Sequence, residues 1–349
     1  MSTPRTTVAL PEMSQILPLV YGFTISQIAG TTARLGVADL VQESPKTAAE
    51  LTAAVGADPN YFSQLLRAAV AVGMLTRDQE GRYTLTPVGR IFGTDSPWQA
   101  KVHDAWHTHP AVWQAFGALE DAVRQGRPAF EIVHNTSFFD YIDSNAELAA
   151  LFHSTMSTNT HANNATIVTG YDFSHFTHIV DIGGGNGALL SAILNAHKHL
   201  HATLFDTTSG VHDAPTVLAA AGVTDRCEIT TGDFRRSVPT GADAYLLKNV
   251  IHDWDDESCV TILRNCRNAM APGGRIVVFG SVMPEQETAD PADALSVAIQ
   301  DVAIMAICSG STRSIAEHEA LFARAGLKLA EVTPLHHQFL FHAFEAVPV

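Results

Sequence analysis

His178-Ile-Val-Asp-Ile-Gly-Gly-Gly-Asn-Gly-Ala188 begins as a run of buried-strand residues, passes through four glycines and ends in helical text that continues to Ala196. Glycine has no Cβ, so such a loop lets a ligand approach the backbone while the helix N-terminus presents free N–H groups. The same rhythm continues downstream. Strand-like runs recur at Ala202–Phe205, Cys227–Thr230, Ala244–Leu247 and Arg275–Gly280, with helical text between most of them, including Asp256–Met270. Strands alternating with helices predict a parallel, doubly wound α/β sheet covered on both faces. No internal repeat interrupts the pattern.

Upstream, residues 11 to about 165 read as mostly helical. In Ser44–Phe92, Thr47 with Glu50 fits a capping box. Asp58-Pro59 opens a second helix that points Phe62, Leu65, Leu66, Ala69 and Val70 inward. Met74–Thr76 and Tyr83–Thr86, joined through Asp78–Gly81, read as a hairpin. Helix, helix, hairpin is the order of a winged helix, and Arg67 is the one basic residue of its second helix. The expected domains are therefore a winged-helix-like module over 1–100, connecting helices over 101–165 that reach a substrate pocket, and a Rossmann-like domain over 166–349.

The chain has 349 residues, 46% of them hydrophobic, which is enough for sizeable cores and argues against disorder. Its formal charge of −15 disfavours a phosphate backbone as partner. Cys227, Cys259, Cys266 and Cys308 make no CxxC pair and read as reduced thiols. The N-terminus lacks a signal-peptide profile, and Ile16–Gly30 reads as too short and too broken to span a bilayer. A soluble cytoplasmic protein, free of nucleic acid and membrane, is expected. His103, His107 and His109 stand at helical spacings, which suits ordinary histidines better than a metal site.

The glycine loop alone leaves the ligand open. Gly183, Gly185 and Ala188 also satisfy the degenerate G-x-G-x-x-A dinucleotide pattern, with Asp206 at a plausible distance for a ribose. Three features favour S-adenosylmethionine. Asp181 precedes the glycines, where it would repel a pyrophosphate but attract a sulfonium and an α-ammonium group. Acids recur at successive strand ends, Asp206 for the ribose hydroxyls and Asp233 for the adenine amino group, with Phe234 covering the ring. The fourth strand then runs into Leu246-Leu-Lys-Asn-Val-Ile-His-Asp-Trp-Asp-Asp-Glu257.

Val180–Pro284 resembles the S-adenosylmethionine-dependent O-methyltransferases that act on small molecules, the plant caffeate and hydroxyindole type with bacterial antibiotic-pathway relatives. The likeness extends through Leu-Gly-Val-Ala-Asp-Leu-Val41, Gly126-Arg-Pro-Ala-Phe130, Phe138-Phe-Asp-Tyr141 and Phe152-His-Ser-Thr-Met156, nearly the whole chain. It implies a class I methyltransferase domain behind a winged-helix dimerisation domain, in an intertwined homodimer whose N-terminal helices help wall the partner's pocket. It also implies cofactor contacts from the glycine loop, Asp206, Asp233, Phe234 and Lys248, with Trp254 near the adenosine and Thr160 at the amino-acid end. Leu327–Ala330 and Gln338–Ala346 fit the closing antiparallel strands of such a sheet.

Methyl transfer to a hydroxyl needs in-line alignment, exclusion of water and removal of a proton. His252, just beyond the fourth strand, is the candidate general base, and Asp253 either orients its turn or touches substrate. Where plant relatives carry supporting glutamates this chain has Gly280 and Thr312, so Asp301 is a possible substitute. That departure leaves C- or N-methylation, or non-methylating chemistry on the same fold, as alternatives. A metal-assisted variant lacks an obvious third ligand. Phe116, Phe152, Met156, Ile304 and Met305, with Asp301, are candidate pocket walls for a flat aromatic acceptor.

Overall fold

The computed structural model describes residues 13–96, 100–284, 290–335 and 340–349, with backbone alone at 14 and 158–163. Two compact units divide at His109/Pro110, so the stretch 101–165 is shared between them.

In the first unit the helix Ala48–Val55 opens on a complete capping box, Thr47 accepting from the Glu50 N–H while Glu50 accepts from the Thr47 N–H. Asp58 caps Pro59–Ala71 by accepting from Asn60 and Tyr61 N–H groups. Phe62, Leu66 and Ala69 are buried, while Leu65 and Val70 pack partly covered against the same core. The hairpin follows as β2 (Leu75–Arg77) and β3 (Arg82–Leu85), and the short β1 (Lys46–Thr47) adds to β3 on its other side. The first helix, Met13–Arg34, is longer than the apolar stretch read from the sequence. Its Gln15–Arg34 segment is long and apolar enough, by length and composition, to cross a bilayer, which corrects the estimate made on Ile16–Gly30. It leaves Leu19 and Phe23 largely exposed within the chain.

The second unit holds a seven-stranded sheet. Its parallel strands are β4 (His178–Ile182), β5 (His201–Asp206), β6 (Cys227–Thr231), β7 (Ala244–Lys248) and β8 (Arg275–Ser281). All five lie within a residue of the predicted runs. β9 (Leu327–Pro334) and β10 (Phe341–Pro348) close the sheet antiparallel, in the order β6-β5-β4-β7-β8-β10-β9. Gln338, read as part of the last strand, lies outside the described residues. Alternating strand residues feed two cores. Ile179, Leu204 and Leu246 meet Leu190 and Ile193 on one face, while Val180, Phe205 and Leu247 meet Leu263 and Phe322 on the other. The strand order reverses beside β4, and in open α/β sheets that switch point places ligands at the carboxyl ends of the strands.

Tyr171, at the end of the long helix Ala146–Gly170, donates to Glu345 Oε2 on β10 at 2.6 Å, and Arg275 on β8 donates to the other oxygen of that carboxylate. Tyr171 and Glu345 are both buried. Tyr171→Phe is expected to cost about 1–3 kcal/mol by leaving a buried carboxylate short of a donor. A shift of the urea midpoint at unchanged m would register it; an unmoved midpoint would refute it.

Candidate active site

The carboxyl end of β4 carries Asp181, 1% exposed. Its Oδ2 is buried without a hydrogen-bond partner. Burial pushes the carboxyl up to about 7, and the Lys248 ammonium opposes the shift while Asp206 adds to it. Burial likewise pushes Lys248 down to about 8, with Asp181 acting against it. Gly184 closes over the pair. A Cβ there would lie 2.4 Å from Leu204 Cδ1 and 2.7 Å from Asp181 Oδ2, so only glycine leaves the backbone this close to the carboxylate. Gly185 takes φ 57° and donates its N–H to Asp206 Oδ2 at 2.8 Å. Thr207 donates to Oδ1 at 2.6 Å. Each Asp206 oxygen thus holds one backbone donor, and the Thr207 side chain bonds the same carboxylate. Asn186 ties the loop to the long helix by donating to Ser157 Oγ.

Beyond β6, Asp233 chelates Arg235 at 3.0 and 3.1 Å. Burial works to raise this carboxyl, but the bonds and charges of Arg235, with Arg236, outweigh it and hold the group below the usual range. Arg235 in turn lies over the Trp254 ring at 4.6 Å. Phe139 stacks on Trp254 at 5.1 Å, and Phe234 meets it edge-on at 5.9 Å. The rings continue through Phe139–Phe152 and Phe138–Phe152 to Phe130 and Tyr141. Phe152, the candidate pocket wall, therefore joins an aromatic belt that ends at Trp254. Phe116, Met156 and Met305 are half-buried and Ile304 is buried. The Thr160 side chain lies outside the described residues.

β7 leads into the turn that bears His252. Asn249 turns the chain with φ 54°, a left-handed conformation that asparagine tolerates, and donates its N–H to Phe279 O. Ile251–Asp253 then forms one 3₁₀ turn. Arg313, 5% exposed, clamps both ends of it, donating to Ile251 O at 2.8 Å and Trp254 O at 3.0 Å while its fork holds Asp256. Gly310 packs flat against the same turn, since a Cβ there would fall 1.9 Å from His252 O. His252 Nε2 and Asp253 Oδ1 are 3.4 Å apart. Burial, then the charges of Lys248, Arg313 and His318, push His252 down to about 4. Burial pushes Asp253 up to about 7. The imidazole is therefore neutral at physiological pH, with a lone pair to accept a proton. Asp301 accepts from the Thr312 N–H at 2.6 Å, so its carboxylate orders the loop before Arg313. Among the described residues, no three histidines, cysteines or acids are grouped to hold a metal ion.

Sequence reasoning passed over Arg313, Asn249, Arg235, Phe139 and His318. Arg313 was visible only as a neighbour of Thr312. Its role depends on two backbone carbonyls some sixty positions upstream, which no local pattern reveals.

The sheet order, with its closing antiparallel strands, defines a class I methyltransferase fold, and comparison with solved structures agrees. The mitomycin 7-O-methyltransferase MmcR superposes with a TM-score of 0.90 at 29% identity, covering 96% of this chain and 97% of that one. The O-methyltransferase NcsB1 of neocarzinostatin biosynthesis, solved with S-adenosylmethionine and 2-hydroxy-5-methyl naphthoic acid, gives 0.81 at 33% identity, covering 93% and 96%. The family model for the O-methyltransferase domain matches residues 116–328, and that for the O-methyltransferase dimerisation domain matches 17–95. The chain belongs to this O-methyltransferase family, and it is an S-adenosylmethionine-dependent methyltransferase. O-demethylpuromycin-O-methyltransferase of Streptomyces alboniger is 35% identical over 96% of this chain and 89% of its own length. Relatives of comparable identity include 8-amino-8-demethylriboflavin N,N-dimethyltransferase of Streptomyces davaonensis and aclacinomycin 10-hydroxylase RdmB of Streptomyces purpurascens, each 32% identical. The site fits the cofactor: the glycine cradle excludes a Cβ, Asp181 keeps an orphaned buried oxygen, and the Asp206 carboxylate stands at the end of β5 against the Gly185 amide.

Proposed function

We propose that the protein methylates a hydroxyl of a small aromatic natural-product intermediate, with His252 as general base. The observation that carries this reading is a neutral, partly accessible imidazole on a backbone turn clamped by Arg313 just beyond the carboxyl end of β7. Bound S-adenosylmethionine supplies a methyl group already activated on a sulfonium. Asp206 takes the ribose hydroxyls, Asp233 and Phe234 take the adenine edge and face, and Trp254 covers the adenosine. Asp181, Lys248 and the loop of Gly183 and Gly185 set the amino-acid end. Phe152, Met156, Met305 and Asp301 wall the acceptor pocket and keep water out. His252 takes the hydroxyl proton as the oxygen attacks, and Asp253 stabilises the cation so formed.

The exposed apolar face of Met13–Arg34 supports a homodimer built on the N-terminal module, intertwined and winged-helix in type. In this reading the partner subunit covers that face in place of a membrane, and the net charge of −15 accords with a cytoplasmic enzyme without a nucleic-acid partner. The domain limits 1–100, 101–165 and 166–349 belong to the same reading. Gly280 and Thr312 in place of supporting acids favour a second reading, methylation at nitrogen or chemistry without net methylation, as the names of two relatives illustrate.

Calorimetry with S-adenosylhomocysteine and with NADH, followed by mass spectrometry of a phenol and arylamine panel with S-adenosylmethionine, tests both. We expect micromolar binding of the first ligand only, and a one-methyl mass gain on a phenol. Gain on arylamines alone establishes the second reading; NADH binding without an S-adenosylhomocysteine response overturns both.

A further inference from the structure

Gly280 on β8 lies where a side chain would reach toward His252, and a Cβ built there meets nothing within 4 Å. The space it leaves is a small cavity lined by Asn249, His252, Gly280, Ser311, Arg313 and His318 among others, with room for about one water. His318 is 4% exposed and stacks on Phe344 with ring centroids 4.1 Å apart. Its Nδ1 lies 2.8 Å from Ser314 O. A carbonyl can only accept, so Nδ1 carries the proton and Nε2 holds a lone pair. Asn249, bordering the same space, has a buried Oδ1 without a hydrogen-bond partner. A water there meets two acceptors, His318 Nε2 and Asn249 Oδ1, which consume both of its protons. Its oxygen is then left to accept, and the His252 imidazole lines the same cavity and can donate to it.

We propose that His318 is a positioning residue for His252, acting through one water seated in the cavity beside Gly280 so that His252 Nδ1 carries the proton and Nε2 keeps the lone pair. The inference rests on the reading of His252 as general base and deepens it. A neutral histidine and a water take the place of a carboxylate: they hold the tautomer through hydrogen bonding and add no negative charge. The charged or titratable groups around His252 are Lys248, Arg313, His318 and Asp253. Asp253 faces Nε2, the nitrogen this tautomer leaves with the lone pair, and receives the developing cation there.

Carbon-13 spectra of the deuterated, histidine-labelled full chain with S-adenosylhomocysteine bound test the bridge, because the imidazole Cδ2 shift reports the tautomer. The His252 signal is assigned by its loss in His252→Gln. We expect the Nδ1–H form in the unmodified protein. His318→Phe keeps the stack on Phe344 but removes the lone pair, and Gly280→Ala puts a methyl group in the water's place. Each is expected to move at least half of the His252 population to the Nε2–H form, and Gly280→Glu in the His318→Phe background to restore Nδ1–H. An Nε2–H form from the outset, or a tautomer that neither single variant moves, overturns the proposal; should one variant not fold, the other decides. Failure of the base reading looks different: turnover in His252→Gln would be undiminished whatever the tautomer.

Discussion

His252→Gln is expected to lower kcat by about 10²–10⁴-fold, the usual contribution of a positioned general base, with S-adenosylhomocysteine affinity held within about twofold. Glutamine keeps a polar side chain of similar length on a turn that Arg313, Gly310 and Cys259 hold through backbone atoms, so the fold should not register the change. The pH profile separates loss of a base from loss of a contact. Burial and the neighbouring cations push His252 down to about 4, so the base form is full across neutral pH and is lost only as pH falls toward that value. The limb that belongs to His252 should therefore lie well below neutrality, beneath a smaller fall around 7 where Asp253 takes up a proton and ceases to stabilise the cation. The variant should lose that limb, its residual rate rising with pH as the acceptor itself ionises, since a phenol titrates near about 10. Unchanged kcat in His252→Gln would remove the residue from the chemistry.

The legible parts of this protein are those whose signals are local. Period-two and buried-run patterning located all five parallel strands, because a strand covered on both faces must be apolar throughout. The capping box at Thr47 and the Asp58-Pro59 start were readable for the same reason, as each is satisfied within three residues. What escaped the sequence was the set of contacts made across distance. Arg313 reaches back to Ile251 and Trp254, and Asp301 turned out to hold the Thr312 amide rather than the imidazole it was weighed for. The first helix shows a different failure. Pro18 and the polar Ser26 and Gln27 were read as breaks, yet the helix runs through all three, and Ser26 turns its hydroxyl back onto Gly22 O four residues earlier.

Asp206→Ala is expected to weaken S-adenosylhomocysteine binding by about 10²–10³-fold, which corresponds to losing two charge-assisted hydrogen bonds of about 1.5–3 kcal/mol each, partly replaced by water. Asp206 has two tasks, and the magnitude follows from both. Its oxygens fix the loop by accepting from Gly185 and Thr207 N–H groups, and the acceptor capacity they keep suits a vicinal diol. Alanine removes both. Asparagine keeps one acceptor but turns an N–H₂ group toward a backbone N–H, so Asp206→Asn should fall between the two without restoring affinity. Burial holds the Asp206 carboxyl above its ordinary range, against the opposing pull of the two backbone donors. The sign follows: protonation removes the acceptor form, so unmodified-protein affinity should weaken on acidification, starting at a higher pH than an exposed aspartate would give, and the alanine variant should lose that dependence. Calorimetry at several pH values reads both effects. An alanine variant binding within about threefold of the unmodified protein would show that the diol is held elsewhere and that Asp206 serves only the loop.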